Sequence, residues 1–153
     1  MRESVASPEG SPTSITVHGS CVAIDGRGLL IIGPSGSGKS SLSLRLLSLG
    51  AQLVADDRTV LKRNGGQLAA TAPGAIAGVI EARGVGLLVH PAQSGVVLAA
   101  VVDMGTEEKA RLPERHIRTY LGATLPCLHN ADSPHFAAAL LLYMKGGMKR
   151  FDD

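Results

Sequence analysis

The chain has 153 residues, of which 44% are apolar and 18% charged. Such a composition suits one globular domain with a single core and excludes a disordered chain. Its net charge of +2 comes from scattered Lys and Arg with no basic run or basic helix face, so no nucleic-acid partner is expected. Cys21 and Cys127 have no metal or redox spacing, there is no secretory leader, and no apolar run nears the roughly 20 residues of a membrane span; a cytoplasmic protein without a membrane anchor is expected.

The opening MRESVASPEGSP is rich in Ser, Pro and Glu and lacks apolar periodicity, so residues 1–13 are expected to be loose and residues 14–153 to form the domain. From Ser14, the residues Ile15, Val17 and Gly19 alternate with Thr16, His18 and Ser20, a strand period that Val22 to Ile24 extend. Asp25-Gly26 is a turn signal, and Leu29 to Ile32 is a second strand, apolar on both faces. After a glycine-rich loop, Leu42, Leu46 and Leu49 recur at helical spacing, with Leu44 and Leu47 widening the stripe and Gly50 placed as a C-terminal cap.

AQLVADD then reads as a short strand ending in two acids. It is followed by a hairpin from Thr59 to Arg63 through Asn64-Gly65-Gly66 into Gln67 to Ala70. Within the glycine-punctuated segment Ala75 to Val89, IEARGVGLLV fits a strand end, a loop and another short strand, and Val96 to Asp103 is a clearer strand. Pro113 to Leu121 is expected to be a helix stopped by Gly122. Ser133 and Pro134 are expected to cap and open a second helix that runs to about Lys145. The whole predicts an α/β P-loop-containing core with a mixed β-sheet, because the hairpins require antiparallel pairs.

GPSGSGKS, from Gly33 to Ser40, matches G-x-x-x-x-G-K-S between a buried strand and a capped helix. Several backbone N–H groups must reach a polyphosphate at once, which demands small residues, and the helix N-terminus adds unpaired donors and its dipole. Gly33, Pro34, Ser35, Gly36, Ser37, Gly38, Lys39, Ser40 and Ser41 are therefore the candidate nucleotide-binding residues, with Lys39 directed at the β and γ phosphates of ATP and the Ser40 hydroxyl at Mg²⁺. Phosphoryl transfer also needs carboxylates to hold the metal and to accept a proton, and three acidic positions compete: Asp56-Asp57, Glu81 and Asp103. Pattern alone leaves Asp103 and the Asp pair level. Neighbouring carboxylates raise each other's cost of ionising, which allows one to hold metal while the other handles a proton. A lone strand histidine such as His18 is more often structural than catalytic, and Arg83 or Arg111 can steady transition-state charge.

Taken together, VHGSCVAIDGRGLLIIGPSGSGKSS, LVADD and IEARGVGLL resemble the catalytic domain of bacterial HPr kinase/phosphorylase, over most of Ser14 to Arg111. Members commonly carry a separate N-terminal domain, and this chain is similar to the short alphaproteobacterial form without it. The resemblance implies ATP- and Mg²⁺-dependent phosphorylation of a serine on HPr or an HPr-like carrier, a reverse phosphorylase reaction, and a homo-oligomer, typically a hexamer. It implies that Asp56 is the base toward the serine hydroxyl, that His18 interacts with Asp56, and that Asp57 supports the site and its metal. Glu81 would help bind Mg²⁺ with Arg83 beside it, Arg111 in KARLPE would stabilise the transferring phosphoryl group, and Asp103 becomes a structural strand end. The chain departs from the family pattern at Ser41, where members have Glu, and at LPCLHNADSPHF, which replaces an arginine-bearing P-V-R-P-G-R-N motif from the region of the dephosphorylating reaction and partner contacts, so kinase activity is expected ahead of phosphorylase activity. Two other readings stay open: a small-molecule kinase on a related core, and a regulatory module that senses nucleotide without transferring phosphate.

Overall fold

The structure, a computed structural model, describes residues 13–74 and 77–148. The loose segment expected at the start lies, over residues 1–12, outside the described residues, as do Ala75 and Ile76 of the glycine-punctuated segment. In chain order the elements are β1 (Ser14–Ile24), β2 (Arg27–Ile32), α1 (Lys39–Ser48), β3 (Gln52–Ala55), β4 (Arg58–Asn64), β5 (Gln67–Thr71), β6 (Val79–Ala82), β7 (Gly86–Val89), β8 (Val96–Glu107), β9 (His116–Tyr120), β10 (Ala123–Asn130) and α2 (Phe136–Gly146). The architecture is mixed α/β with a mainly sheet core, as expected.

Leu29, Leu30, Ile31 and Ile32 are all buried because β2 has neighbours on both edges and cover on both faces. One edge pairs antiparallel with β1 and the other parallel with β8, which gives the sheet its mixed character. The far edges of β1 and β8 each divide between two partners. Near the start of β1, residues 14–18 pair with β4, and farther along Cys21 to Ala23 pair with β3. On β8, Val96 and Val97 pair with β5, and Val101 to Asp103 pair with β10. The hairpin of β4 and β5 thus closes the order β2-β1-β4-β5-β8 into a ring, while β3 and β10 extend a flatter sheet on either side of β1, β2 and β8.

Strand alternation splits the core in two. Cys21, Ala23, Leu30, Ile32, Val54 and Leu61 pack strand against strand with no helical member, whereas Val22, Ile24, Leu29, Ile31 and Leu53 face Leu42, Leu46 and Leu47 of α1 and Ala137, Leu140 and Met144 of α2. The register slips between Gly28 and Leu29 opposite β8, and this extra residue lets Leu98 and Val101 share one face of β8 while Ala100 and Val102 take the other. Leu49, expected on the apolar stripe of α1, is instead its C-cap and 47% exposed, and Gly50 follows with φ 110°, as a residue ending a helix does. Both cysteines are buried and free, and burial pushes the Cys21 thiol up to about 12, far from reactivity.

Two expectations change. Pro113 to Leu121 is not a helix: His116–Tyr120 is strand β9, paired antiparallel with β10. Ile117, Thr119 and Tyr120 favour a strand, and Leu121-Gly122, with φ 51° and 79°, is the two-residue hairpin turn that had the look of a helix stop. The second helix begins at Phe136, two residues past Pro134, because the Ser133 carbonyl and hydroxyl take the Phe136 and His135 amides at 3.2 and 3.3 Å in a turn that precedes it. Among the described residues no helix is long and apolar enough to cross a membrane.

One glycine holds the sheet's geometry. A Cβ at Gly19 would lie 2.6 Å from the Ile31 carbonyl oxygen, so β1 reaches β2 closely only because position 19 has no side chain. Gly19→Ala is expected to lower stability by about 1–3 kcal/mol, seen as a lower urea midpoint with an unchanged slope, and an unchanged midpoint would contradict the close approach.

Candidate active site

Both β2 and β3 run antiparallel to β1, with Ile32 opposite Gly19 and Ala55 opposite Cys21. They are therefore parallel to each other, two inter-strand spacings or roughly 10 Å apart, and both end at the edge where β1 carries His18, Gly19 and Ser20. β8 and β10 run parallel to β2, so Asp103 and Asn130 lie toward that same edge. Carboxyl ends of strands are where ligands gather in such sheets, and the topology brings the glycine loop and the Asp pair there from opposite sides of β1.

The loop leaves β2 at Gly33 and enters α1 at Lys39. Gly33, Gly36 and Gly38 have φ of 144°, 83° and 100°, values that disfavour any side chain, and a Cβ at Gly33 would strike Ser37 Oγ at 2.6 Å. Gly38 is the N-cap and offers no side-chain cap, and the Lys39, Ser40 and Ser41 amides have no acceptor among the described residues. The buried Lys39 ammonium donates to the Gly33 and Pro34 carbonyls at 2.7 and 3.1 Å, leaving a third N–H. Ser37 Oγ is buried without a hydrogen-bond partner. Donors exceed acceptors throughout the loop, which is the composition of an anion site and fits a polyphosphate.

At the other side of β1, the chain turns sharply between β3 and β4. Asp57 takes φ 69°, its carbonyl accepts from the Gly19 amide at 2.8 Å, and the Arg58 amide closes back on the Asp56 carbonyl at 2.8 Å. Ser20, buried within β1, links both acids: its hydroxyl accepts the Asp57 amide at 3.0 Å and donates to Asp56 Oδ1 at 3.2 Å. The Glu81 amide, from β6, donates to Asp56 Oδ2 at 3.1 Å. Each Asp56 oxygen thus keeps acceptor capacity for one more proton.

His18 stands two residues from Ser20 on the same face of β1, yet it pairs with the second acid and not, as the resemblance implied, with the first: His18 Nε2 lies 2.9 Å from Asp57 Oδ1. The left-handed turn at Asp57 carries its carboxylate toward His18, and Ser20 occupies the position beside Asp56. Asp103 lies at this edge too, opposite Ile32 where the loop begins; it accepts from the Gly105 amide at 2.9 Å and the Thr106 hydroxyl at 3.0 Å and faces Arg118 at 3.8 Å, and β8 continues past it to Glu107, so it is not the strand end expected. Arg83 is exposed within the β6–β7 turn. Arg111, on the segment between β8 and β9, lines a groove beside His116 and α2, and no contact joins it to Lys39 or Asp56.

Nothing in the sequence singled out Ser20, since a serine in an alternating strand resembles a solvent-facing residue. Nor did it foresee the cavity of about 480 Å³ beside the start of α1, lined by Gly38, Ser41, Arg45, Met104, Asn130 and Asp132. The segment LPCLHNADSPHF supplies its far wall as the end of β10 and the turn into α2.

The model of the HPr serine kinase C-terminal domain matches residues 11–99. The chain is 47% identical over 79 residues to the HPr kinase/phosphorylase of Brevibacillus brevis, covering 51% of this chain and 25% of that protein. It is 40% identical over 90 residues to the HPr kinase/phosphorylase of Clostridium tetani, covering 59% and 29%. The matched part thus spans about a quarter of the length of these curated relatives. A solved structure, the Hpr(Ser) kinase/phosphatase from Coxiella burnetii, superposes with a TM-score of 0.72 at 25% identity, covering 86% of this chain and 94% of that one.

Ser20→Ala would leave the Asp57 amide without its partner and free Asp56 Oδ1. A loss of about 1–3 kcal/mol is expected for such an unsatisfied buried donor, read as a lower denaturant midpoint; a midpoint equal to the parent's would mean that the serine does not tie the two acids together.

Proposed function

The chain belongs to the HPr serine kinase C-terminal domain family, and from that premise we propose that it is an ATP-dependent serine kinase acting on HPr or an HPr-like carrier, with the reverse phosphorylase reaction at the same site. The observation that carries this reading is the arrangement at one sheet edge, where the donor-rich loop and the Asp56 carboxylate flank the same three residues of β1. The polyphosphate lies against the Lys39 to Ser41 amides and the Lys39 ammonium, and the cavity at the start of α1 has room for the nucleoside.

Asp56 accepts the proton of the acceptor serine hydroxyl as its oxygen bonds to the γ phosphorus and the bond to the ADP oxygen breaks, in line. ADP departs, and the proton remains on Asp56. In the phosphorylase direction a phosphate oxygen bonds to the phosphoserine phosphorus, the bond to the serine oxygen breaks as the protonated Asp56 carboxyl gives that oxygen its proton, and pyrophosphate leaves. Ser20 and the Glu81 amide aim the carboxylate, and His18 with Asp57 fixes the turn that presents it. The Ser40 hydroxyl and the Glu81 carboxylate, with Asp57 nearby, would hold Mg²⁺, which when bound neutralises charge on the β and γ phosphates. Arg111 enters this reading through the resemblance alone.

Incubation with labelled ATP, Mg²⁺ and HPr should yield acid-stable phosphoserine. Asp56→Asn is expected to slow transfer about 10²–10⁴-fold while still binding nucleotide, and Lys39→Ala to lose nucleotide binding. Transfer by Asp56→Asn at the parent rate would remove Asp56 from the base role, and the absence of transfer by the parent to HPr or any such carrier would remove the substrate assignment. A homo-oligomer, hexameric as the resemblance implies, belongs to the same reading. Its support is the apolar stripe of Val85, Leu87 and Val89 on the β6–β7 hairpin, exposed by 77%, 73% and 88%. Sedimentation equilibrium should find a multiple of the 15.7 kDa chain mass, reduced by Val89→Asp; a monomer at every concentration would contradict it.

A further inference from the structure

Past the end of β8 the Glu108 amide donates to the Asn130 carbonyl at 2.7 Å, which sets the Glu108 side chain against the β9–β10 hairpin. Two histidines share the facing side. His116 stands opposite Cys127 across the hairpin and His129 follows Cys127 by two residues, so strand geometry places both rings on one face. The rings stack with centroids 3.9 Å apart and planes 12° from parallel. His116 Nε2 lies 3.2 Å from Glu108 Oε1, His129 Nδ1 lies 3.9 Å from that same oxygen, and one ligand atom from each of the three residues lies within 4.8 Å of the others.

These separations suit a shared cation better than a hydrogen-bonded triad. At 3.9 Å the His129 nitrogen faces the carboxylate without a hydrogen bond to it. An ion at about 2.0–2.2 Å from each donor sets neighbouring donors about 3–4 Å apart, which the two separations to Glu108 Oε1 match. Because a metal lies in the plane of each imidazole it binds, the stacked rings turn out of parallel about their Cβ–Cγ bonds, a soft torsion for histidine, to receive it. The Ala110 amide, donating to Oε2 at 3.1 Å, is the main cause that holds the Glu108 carboxyl below the usual carboxylate range, with His116 adding to it. The side chains of Glu108, His116 and His129 are 15%, 31% and 20% exposed, sheltered yet reachable from solvent.

We propose that Glu108, His116 and His129 form a transition-metal site, best matched to Zn²⁺ and separate from the phosphate loop. Two imidazoles and one carboxylate suit zinc and its first-row neighbours, whereas Mg²⁺ prefers oxygen donors alone. The ion would sit between His116 Nε2 and Glu108 Oε1, with the imidazole in the tautomer that carries its proton on Nδ1, and the groove leaves room for water as a fourth ligand. Two of the ligands, Glu108 and His116, bracket the segment 109–115, so the metal clips the ends of the loop that carries Arg111.

The test is a Zn²⁺ titration of the tag-free full chain by calorimetry in excess Mg²⁺, with Co²⁺ as a spectroscopic substitute. One Zn²⁺ per chain and a Co²⁺ d–d spectrum are expected, with affinity falling at least about tenfold in His129→Gln and both signals lost in the His116→Gln/His129→Gln double variant. Metal-free circular dichroism and unfolding midpoints confirm the fold of each variant. Because His129 makes no hydrogen bond to Glu108, the single variant decides alone if the double variant does not fold. Failure of the parent to bind Zn²⁺, or the same stoichiometry and affinity in folded His129→Gln, would overturn the site. Nucleotide binding and phosphoryl transfer play no part in this readout.

Discussion

The architecture depends on how closely β1 lies between β2 and β3. At Gly19 the β1 backbone meets the Ile31 carbonyl at a distance no side chain tolerates, while its own amide and carbonyl hold the Asp57 carbonyl and the Thr59 hydroxyl on the other side. Thus one residue carries contacts to the strand that ends in the phosphate loop and to the turn that presents the acids. Ser20 then converts that backbone proximity into an orientation for Asp56. A larger residue at 19 would push the two halves of the candidate site apart without touching either.

The helices serve the same edge. α1 buries Leu42, Leu46 and Leu47 against the outer face of the sheet, which anchors its axis and leaves its first turn free to face a ligand. Because Gly38 provides no capping side chain, the orphan amides of that turn are available to an anion. Across the sheet, closure of the β4–β5 hairpin onto β8 buries the helix-free face, so the strand ends sit on a rigid, well-packed base.

How far this was legible in the sequence follows from the range of the interactions involved. Leu29 to Arg45 announced strand, phosphate loop and helix because each of those features is set by residues a few positions apart. The alternation in β1 and the Asn64-Gly65-Gly66 turn were equally local. Pro113 to Leu121 misled because a glycine that stops a helix and a glycine that turns a hairpin look alike until the partner strand, β10, is in place. The partner of His18 and the role of Ser20 depend on the left-handed backbone at Asp57, which no periodicity encodes. Asp103 had the form of a metal ligand at a strand end, but β8 runs on past it to Glu107, and its bonds to the Gly105 amide and the Thr106 hydroxyl arise where the register against β10 shifts, which no local pattern encodes. Glu108, His116 and His129 are too scattered along the chain to form a motif, and the sheet alone assembles them.

The most direct test of the central claim, that one edge of the sheet holds a polyphosphate beside a proton acceptor, is a crystal structure with a non-hydrolysable ATP analogue and Mg²⁺. The account predicts β and γ phosphates on the Lys39, Ser40 and Ser41 amides, with the Asp56 carboxylate facing the terminal phosphate across a gap wide enough for a serine hydroxyl. A nucleotide bound away from the loop, or an Asp56 side chain turned from the terminal phosphate, would contradict it.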